Sequence, residues 1–476
     1  MMKLPVSAGD YACTWSINGA TVGGQLMLVE SGRPQGTAFD VPGVGTTTSA
    51  ADGSQFVRFS PYEESVERVR GQLRSGHDVV LIGASLGHVF PGTAQLTGEM
   101  ALCGFGLPAG DEILFDTVQF QVGGLTELSG VAPIPKIQWP SSDTPEPTFS
   151  ASWNKEVDQE WSTDTGDRIT LNYTAYMSFQ PGYQLEVSAQ PIVEVSGVRR
   201  KAGEWIEAYV KPLAELTTFA TARKQPVCWV QFISRSAEPN YTAQAFAAEI
   251  TQEPYRSLAP EPRVLAPLLR LGPEGASLPD LLDGWKALQA KYDTFSDYLS
   301  SALREEMTLK SRFLALVPAI ESFHTEKYGD GPQSRKEYTK QRKEVLRRVA
   351  AVEGVAGDDV EWLRKWVNAL GSYQLQERLH QLLNDLPEGL QQRLRALTDP
   401  LPESLEDCRA DLGDVWKIMG KVRNNLAHGG DQPTAQALRT LTLLAHTMAV
   451  GLALQELGVP GEPLAHAIDG GKWVVV

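Results

Sequence analysis

Cysteine is scarce in this chain. Its 476 residues include four, Cys13, Cys103, Cys228 and Cys408, and no two stand at the spacing of a metal-ligand pair. That argues against a disulfide framework and against a cysteine-based zinc site, and it suits a reducing cytosol. No apolar run reaches the length expected of a bilayer span. The opening Met1-Met2-Lys3-Leu4-Pro5-Val6 has no apolar core of a secretion signal. The expectation is a cytoplasmic protein with no membrane partner. Internal repeats and a low-complexity tail are also absent. Positive charge is in short supply, with 43 Lys and Arg against 58 Asp and Glu and a net charge of −15. That is the wrong sign for a general nucleic-acid binder. What is present, a 42% hydrophobic composition over this length, fits two or three globular domains.

The acidity is unevenly placed. Residues 1–253 hold 16 Lys and Arg against 28 Asp and Glu, a balance of −12, and residues 254–476 hold 27 against 30, a balance of −3. Any contact with an anionic polymer therefore needs a local patch. One run offers it. From Arg335 to Arg348, Lys336, Lys340, Lys343 and Arg347 follow the i, i+4, i+7, i+11 spacing of one helical face. The plain reading is a solvated face with Glu partners; the functional one is a phosphate track that binds RNA without choosing sequence.

Patterning divides the chain. Residues 1–253 read as a β-rich half with sensor or regulatory character. In it Val118, Phe120 and Val122 alternate with Gln119 and Gln121, and Asp78 to Ile82 is a short buried strand. The surroundings read as a β-meander. A Pro-rich passage at 133–147 would split this half into two lobes, and 210–223 reads as a helix. Residues 254–279, with six prolines, read as a linker. Residues 280–476 read as an all-α bundle, with helices over 281–303, 309–328, 336–352, 358–370, 375–383, 387–396, 405–428 and 434–457. The fold class is thus α+β and multidomain.

The chemistry concentrates at Val422-Arg423-Asn424-Asn425-Leu426-Ala427-His428-Gly429-Gly430. Arginine binds phosphate through parallel N–H bonds and stays charged. Histidine titrates near neutrality and moves protons. The pair is a minimal kit for cutting RNA without a metal. The spacing alone recurs at Arg70–His77 and Arg439–His446. Only the copy at 423 has Asn after the Arg, a long amphipathic helix before it and a double glycine to end that helix. Val415, Met419, Val422 and Leu426 make the buried stripe, and Asn424 and His428 share a face. Glu321 lies on the apolar side of its own helix, where a buried carboxylate needs a cation. It would either orient Arg423 or a His, or fix helix packing. Arg423 and His428 would, as the alternative, simply cap carbonyls at the helix end.

The motif resembles the active-site signature of HEPN ribonucleases: Arg, a polar residue, four to six residues, then His. The resemblance widens to the ApeA family of anti-phage HEPN proteins, with an acidic β-rich half followed by a helical one. The helix Arg312 to Phe323 resembles the early HEPN helix that carries an acidic residue, here Glu321. Runs such as Trp205 through Val210-Lys211-Pro212-Leu213 to Phe219 share the family's patterning. Val422, where many HEPN proteins carry a polar residue, is a departure that leaves Asn424 as the polar helper. The resemblance implies a homodimer in which two motifs share one cleft. It also implies cleavage by the RNA's own 2′-hydroxyl, with Arg423 and His428 catalytic and Asn424 and Glu321 assisting. Neither metal nor cofactor is implied. tRNA becomes a candidate target, and a phage component or small ligand a candidate trigger at the β-rich half.

Two rival readings stand beside this one. Gly83-Ala84-Ser85-Leu86-Gly87 follows a strand, as a nucleophile elbow does, although Pro91-Gly92 follows at once. The other is a non-catalytic protein, with the bundle as a dimerisation module and the β-rich half as a binding platform.

Overall fold

A computed structural model of the chain describes residues 6–17, 19–41, 46–49, 52, 55–58, 64–90, 92–110, 112–129, 133–134, 136–138, 150–152, 154, 158–180, 184–221, 224–253, 269, 271, 277–303, 307–329, 331, 335–367, 373–397, 412–430 and 432–459. The chain forms two compact units. The first takes Met1–Thr221, Gln225–Val264 and Arg270–Leu282; the second takes Ala222–Lys224, Leu265–Leu269 and Asp283–Val476. Most of the Pro-rich segment 254–279 lies outside the described residues.

The first unit is β-rich. Its strands are β1 (Gly9–Ile17), β2 (Ala20–Leu28), β3 (Gln35–Ala38), β4 (Thr46–Ser49), β5 (Gln55–Arg58), β6 (Glu64–Leu73), β7 (Asp78–Phe90), β8 (Thr93–Thr97), β9 (Met100–Phe105) and β10 (Leu114–Val122). After the short helix α1 (Leu125–Ser129) come β11 (Lys136–Gln138), β12 (Ser150–Ser152), β13 (Gln159–Ser162), β14 (Arg168–Gln180) and β15 (Gln184–Lys201). Then α2 (Ala202–Trp205), a π-helical turn (Ile206–Val210) and α3 (Lys211–Thr221) precede β16 (Val227–Ser234) and β17 (Tyr241–Ala247).

Six of these strands close on themselves in the order β7, β6, β1, β2, β3, β8 and back to β7. The expected meander is therefore a small barrel, in which alternation sends every second side chain inward. Trp15 fills it, fully buried, with its indole N–H donating to the Thr37 carbonyl at 3.1 Å. Glycine stands at 24, 36 and 71, where a methyl group would come within 2.8 Å of the ring.

β7 then serves twice. Asp78–Ile82 pairs with β9, whereas Ser85–Phe90 pairs with β8. The switch falls at Gly83, whose φ of 58° and closeness to the Glu99 carboxylate suit only glycine. Beyond β9 the sheet continues through β17, β16, β10, β15, β14 and β13. The 133–147 passage consequently divides no lobes, because β9 and β10 pair with strands that follow it. The polar face expected for β10 is kept at half-buried Gln119, which donates to Glu194, and lost at Gln121. Gln121 is buried, donating to the Pro191 carbonyl at 2.9 Å and accepting from the Trp229 indole at 2.6 Å. The predicted 210–223 helix begins earlier, at Ala202. Its π turn presents Tyr209, whose hydroxyl donates to buried Asp167, to which Arg200 also donates at 2.7 Å.

The second unit is helical. It comprises the rest of α4 (Leu278–Lys291), then α5 (Asp293–Ala302), α6 (Leu309–Tyr328), α7 (Arg335–Ala350), α8 (Gly357–Val367), α9 (Leu375–Asp385), α10 (Glu388–Ala396), α11 (Leu412–His428) and α12 (Ala435–Glu456). The single helix expected over 281–303 breaks at Tyr292, which leaves helical geometry with φ −134°. Its ring is buried and stacked on Phe323 at 4.3 Å, so packing overrides helix propensity there. α6 packs against α5, α9, α11 and α12. α12 corrects another expectation: it is long and apolar enough to cross a membrane by length and composition, and 83% of its most apolar stretch is buried inside the protein.

Candidate active site

Three helices of the second unit build the site. α11 turns Val415, Trp416, Met419 and Val422 into the core, with Leu426 half-buried. Arg423 follows the stripe by one residue and lies half-buried at its edge. Its Nη2 donates to Glu321 Oε2 of α6 at 3.0 Å, and its Nη1 donates to Asn424 Oδ1 at 3.0 Å. One carboxylate and one amide oxygen therefore hold the guanidinium from two sides. Neither is a carbonyl of α11, so the capping alternative does not describe Arg423.

The helix end is closed by glycine instead. Gly429 takes φ 75°, and the Gly430 N–H returns to the Asn425 carbonyl at 2.8 Å, the pattern of a glycine C-cap. His428 is the last helical residue and is exposed, as is Asn424. Among the described residues no hydrogen bond joins Arg423 to His428. Within one chain the structure brings together Arg423, Asn424 and Glu321, and leaves His428 on the same helix facing solvent.

A residue that the sequence reading missed completes the cluster. Arg378 of α9 donates from Nη1 to the Glu321 carbonyl at 3.2 Å and to the Thr325 hydroxyl, and from Nε to the Tyr373 carbonyl at 3.1 Å. Its one sequence signal is its place as a cation beside the apolar stripe Leu379, Leu382 and Leu383. One turn past Glu321, His324 is buried between Tyr328 and Tyr373, with Nε2 2.6 Å from Gln381 Oε1. Burial pulls its pKa down, and the Arg378 charge adds to that despite the Gln381 bond.

The basic row lies on α7. Lys336, Lys340 and Lys343 are exposed and have no carboxylate partner among the described residues. Arg347 differs, with Nε and Nη2 on Glu344 at 3.0 and 2.9 Å. The other two Arg–His spacings are dispersed. Arg70 donates to the Gly110 carbonyl at 2.7 Å and His77 lies tilted against the Phe105 ring, while His446 is buried in α12.

The serine reading is overturned by local structure. Gly83 to Gly87 lie inside β7, with Ser85 opposite Ser65 and Thr97, and no helix follows to form an elbow. Thiol chemistry is no better placed. Cys13, Cys103 and Cys228 are buried and unpaired, and burial raises each pKa, to about 12 for Cys13 and Cys228. Cys408 lies outside the described residues. Among these residues no three His, Cys, Asp or Glu side chains are grouped to hold a metal ion.

Comparison with known proteins divides the chain in the same order. Residues 14–285 match the family model described as ApeA N-terminal domain 1, and residues 314–463 match that described as Apea-like HEPN. The second range contains Glu321, Arg378, Arg423 and His428. No curated protein and no solved structure matches the chain.

Proposed function

Because this chain belongs to the ApeA family of HEPN proteins, we propose that it is a metal-independent endoribonuclease of anti-phage defence, acting in the cytoplasm on RNA, with tRNA a candidate target. The observation that carries the reading is Arg423, held by Glu321 and Asn424 five residues before an exposed His428 on one helix.

In the proposed reaction the 2′-hydroxyl beside the scissile phosphate attacks phosphorus, and the 5′-oxygen leaves. Arg423 stabilises the charge that builds on the phosphorane oxygens. Glu321 and Asn424 fix the guanidinium so that it needs no reorganisation as charge develops. Two proton transfers are required, off the 2′-oxygen and onto the 5′-oxygen, and each chain offers one exposed imidazole at this place. A two-fold homodimer through the helical unit supplies both. The products are a 2′,3′-cyclic phosphate and a 5′-hydroxyl, and DNA is inert for want of the 2′-hydroxyl.

Purified protein tests this directly. Arg423→Ala and His428→Ala should each lower RNA cleavage at least about 100-fold, with melting temperatures close to wild type, because His428 is exposed and Arg423 only half-buried. Asn424→Ala should cost less. Excess chelator should leave cleavage intact, and mixing the two inactive variants should report whether the site is shared. Substantial activity in either single variant would sink the assignment.

A further inference from the structure

We infer that Arg378 is a positioning residue of the Arg423 centre, clamping the turn of α6 that carries Glu321 and supplying the one charge there that no carboxylate offsets. The inference rests on the ribonuclease reading. Glu321 is gripped from two helices: Arg423 of α11 holds its carboxylate at 3.0 Å, and Arg378 of α9 holds its backbone carbonyl at 3.2 Å. The Arg378 fork also reaches the Thr325 hydroxyl, one turn on, and the Tyr373 carbonyl at the start of its own helix. The guanidinium therefore pins residues 321 and 325 of α6 to the N-terminal end of α9. Rotation of that turn would carry the Glu321 carboxylate away from Arg423.

Charge gives the second argument. Glu321 and Arg423 together are neutral. The three acceptors of Arg378 are two carbonyls and a hydroxyl, and among the described residues no carboxylate lies within ion-pair distance of it. The cluster consequently keeps a net charge of one positive unit, contributed by a half-buried side chain where screening is weaker than in bulk water. A phosphodiester approaching Arg423 meets that charge even though Glu321 offsets the charge of Arg423 itself. Lysine would keep the charge and lose the planar fork; glutamine would lose both the charge and most of the donors.

Those two substitutions separate the roles in the full-length protein. Arg378→Gln should raise KM several-fold and lower kcat about tenfold. Arg378→Lys should restore KM but leave kcat low, with both variants still folding cooperatively at a modestly lower melting temperature. The positioning effect acts through the Glu321 carboxylate, so in kcat Arg378 should be silent without it: Glu321→Gln with Arg378→Gln should turn over no more slowly than Glu321→Gln alone, although its KM should still rise. A binding arm reads the charge without cleavage. On a His428→Ala background, with RNA carrying a 2′-deoxy link, Arg378→Gln should reduce the salt dependence of log Kd by up to about 0.7, the value of one fully neutralised phosphate, and Arg378→Lys should not. If Lys and Gln behave identically in KM and salt slope, or if the double variant multiplies the two kcat losses, the proposal is wrong. If wild type cuts no RNA, the ribonuclease reading fails, and the salt slope still decides whether Arg378 supplies the charge.

Discussion

His324, His428 and His446 occupy one helical unit, and burial decides what each can do. His428 is exposed, as the proposed reaction requires. His446 is fully buried in α12, and burial, with the nearby Arg312 charge, pushes its pKa down to about 4. Its folded value lies below the value near 6.5 expected when unfolded. The unfolded chain then binds the extra proton first as pH falls. The stability that neutral His446 contributes is full above about pH 6.5 and is lost progressively toward pH 4, amounting to about 3 kcal/mol. His324 acts in the same direction. Thermal melts between pH 7 and 4.5 should show this loss, and His446→Leu should flatten the curve; an unchanged curve would exclude His446 as its source. The contact of Arg423 with Glu321 was legible in the sequence because a spacing rule and an acid on an apolar face are local patterns. Arg378 was not, since its acceptors are backbone carbonyls and a hydroxyl. Two of them lie 53 and 57 residues away, with no opposite charge to search for.

Elements were legible where one face meets water and one meets core. β1 and β2 alternate cleanly, and α6, α9 and α11 carry apolar stripes. The reading failed where packing surrounds an element. In β10 the alternation puts Gln119 and Gln121 on one polar face, yet Gln121 is buried and binds Trp229 and Pro191. Tyr292 breaks a helix that its neighbours favour, because its ring is buried on Phe323. Closure of a barrel is likewise a property of strand pairing, invisible in strands taken singly. α7 allows a test at this scale. Lys336, Lys340 and Lys343 share one face and point to solvent, with Arg347 engaged by Glu344. Converting the three lysines to glutamine should weaken RNA binding and lower its salt slope by roughly two, with melting unchanged. An unaltered slope would show that this face is merely solvated.

The two halves of the chain carry unequal charge, −12 over residues 1–253 and −3 over 254–476. A ribonuclease of the proposed kind must be held off until infection, and we propose that the acidic β-rich half of the chain restrains it and receives the trigger. A chain beginning near residue 255 should therefore be more toxic to cells than the whole protein, and His428→Ala should remove that toxicity. A folded, dimeric and harmless fragment would show that the first unit is needed for cleavage instead. The double use of β7 bears on how such a protein is made. Once β7 has paired with β6 and β8, β9 can join its first half, but the other edge of β9 belongs to β17, roughly 140 residues further along. At about 5–20 residues per second, synthesis leaves that edge open for roughly 7–28 s. The segment is Met100-Ala101-Leu102-Cys103-Gly104-Phe105, apolar throughout, and an unpaired apolar edge is a template for the wrong neighbour. On a crowded messenger the nascent chain thus passes through an interval in which a chaperone, or another copy of itself, can reach the place reserved for its own last strand.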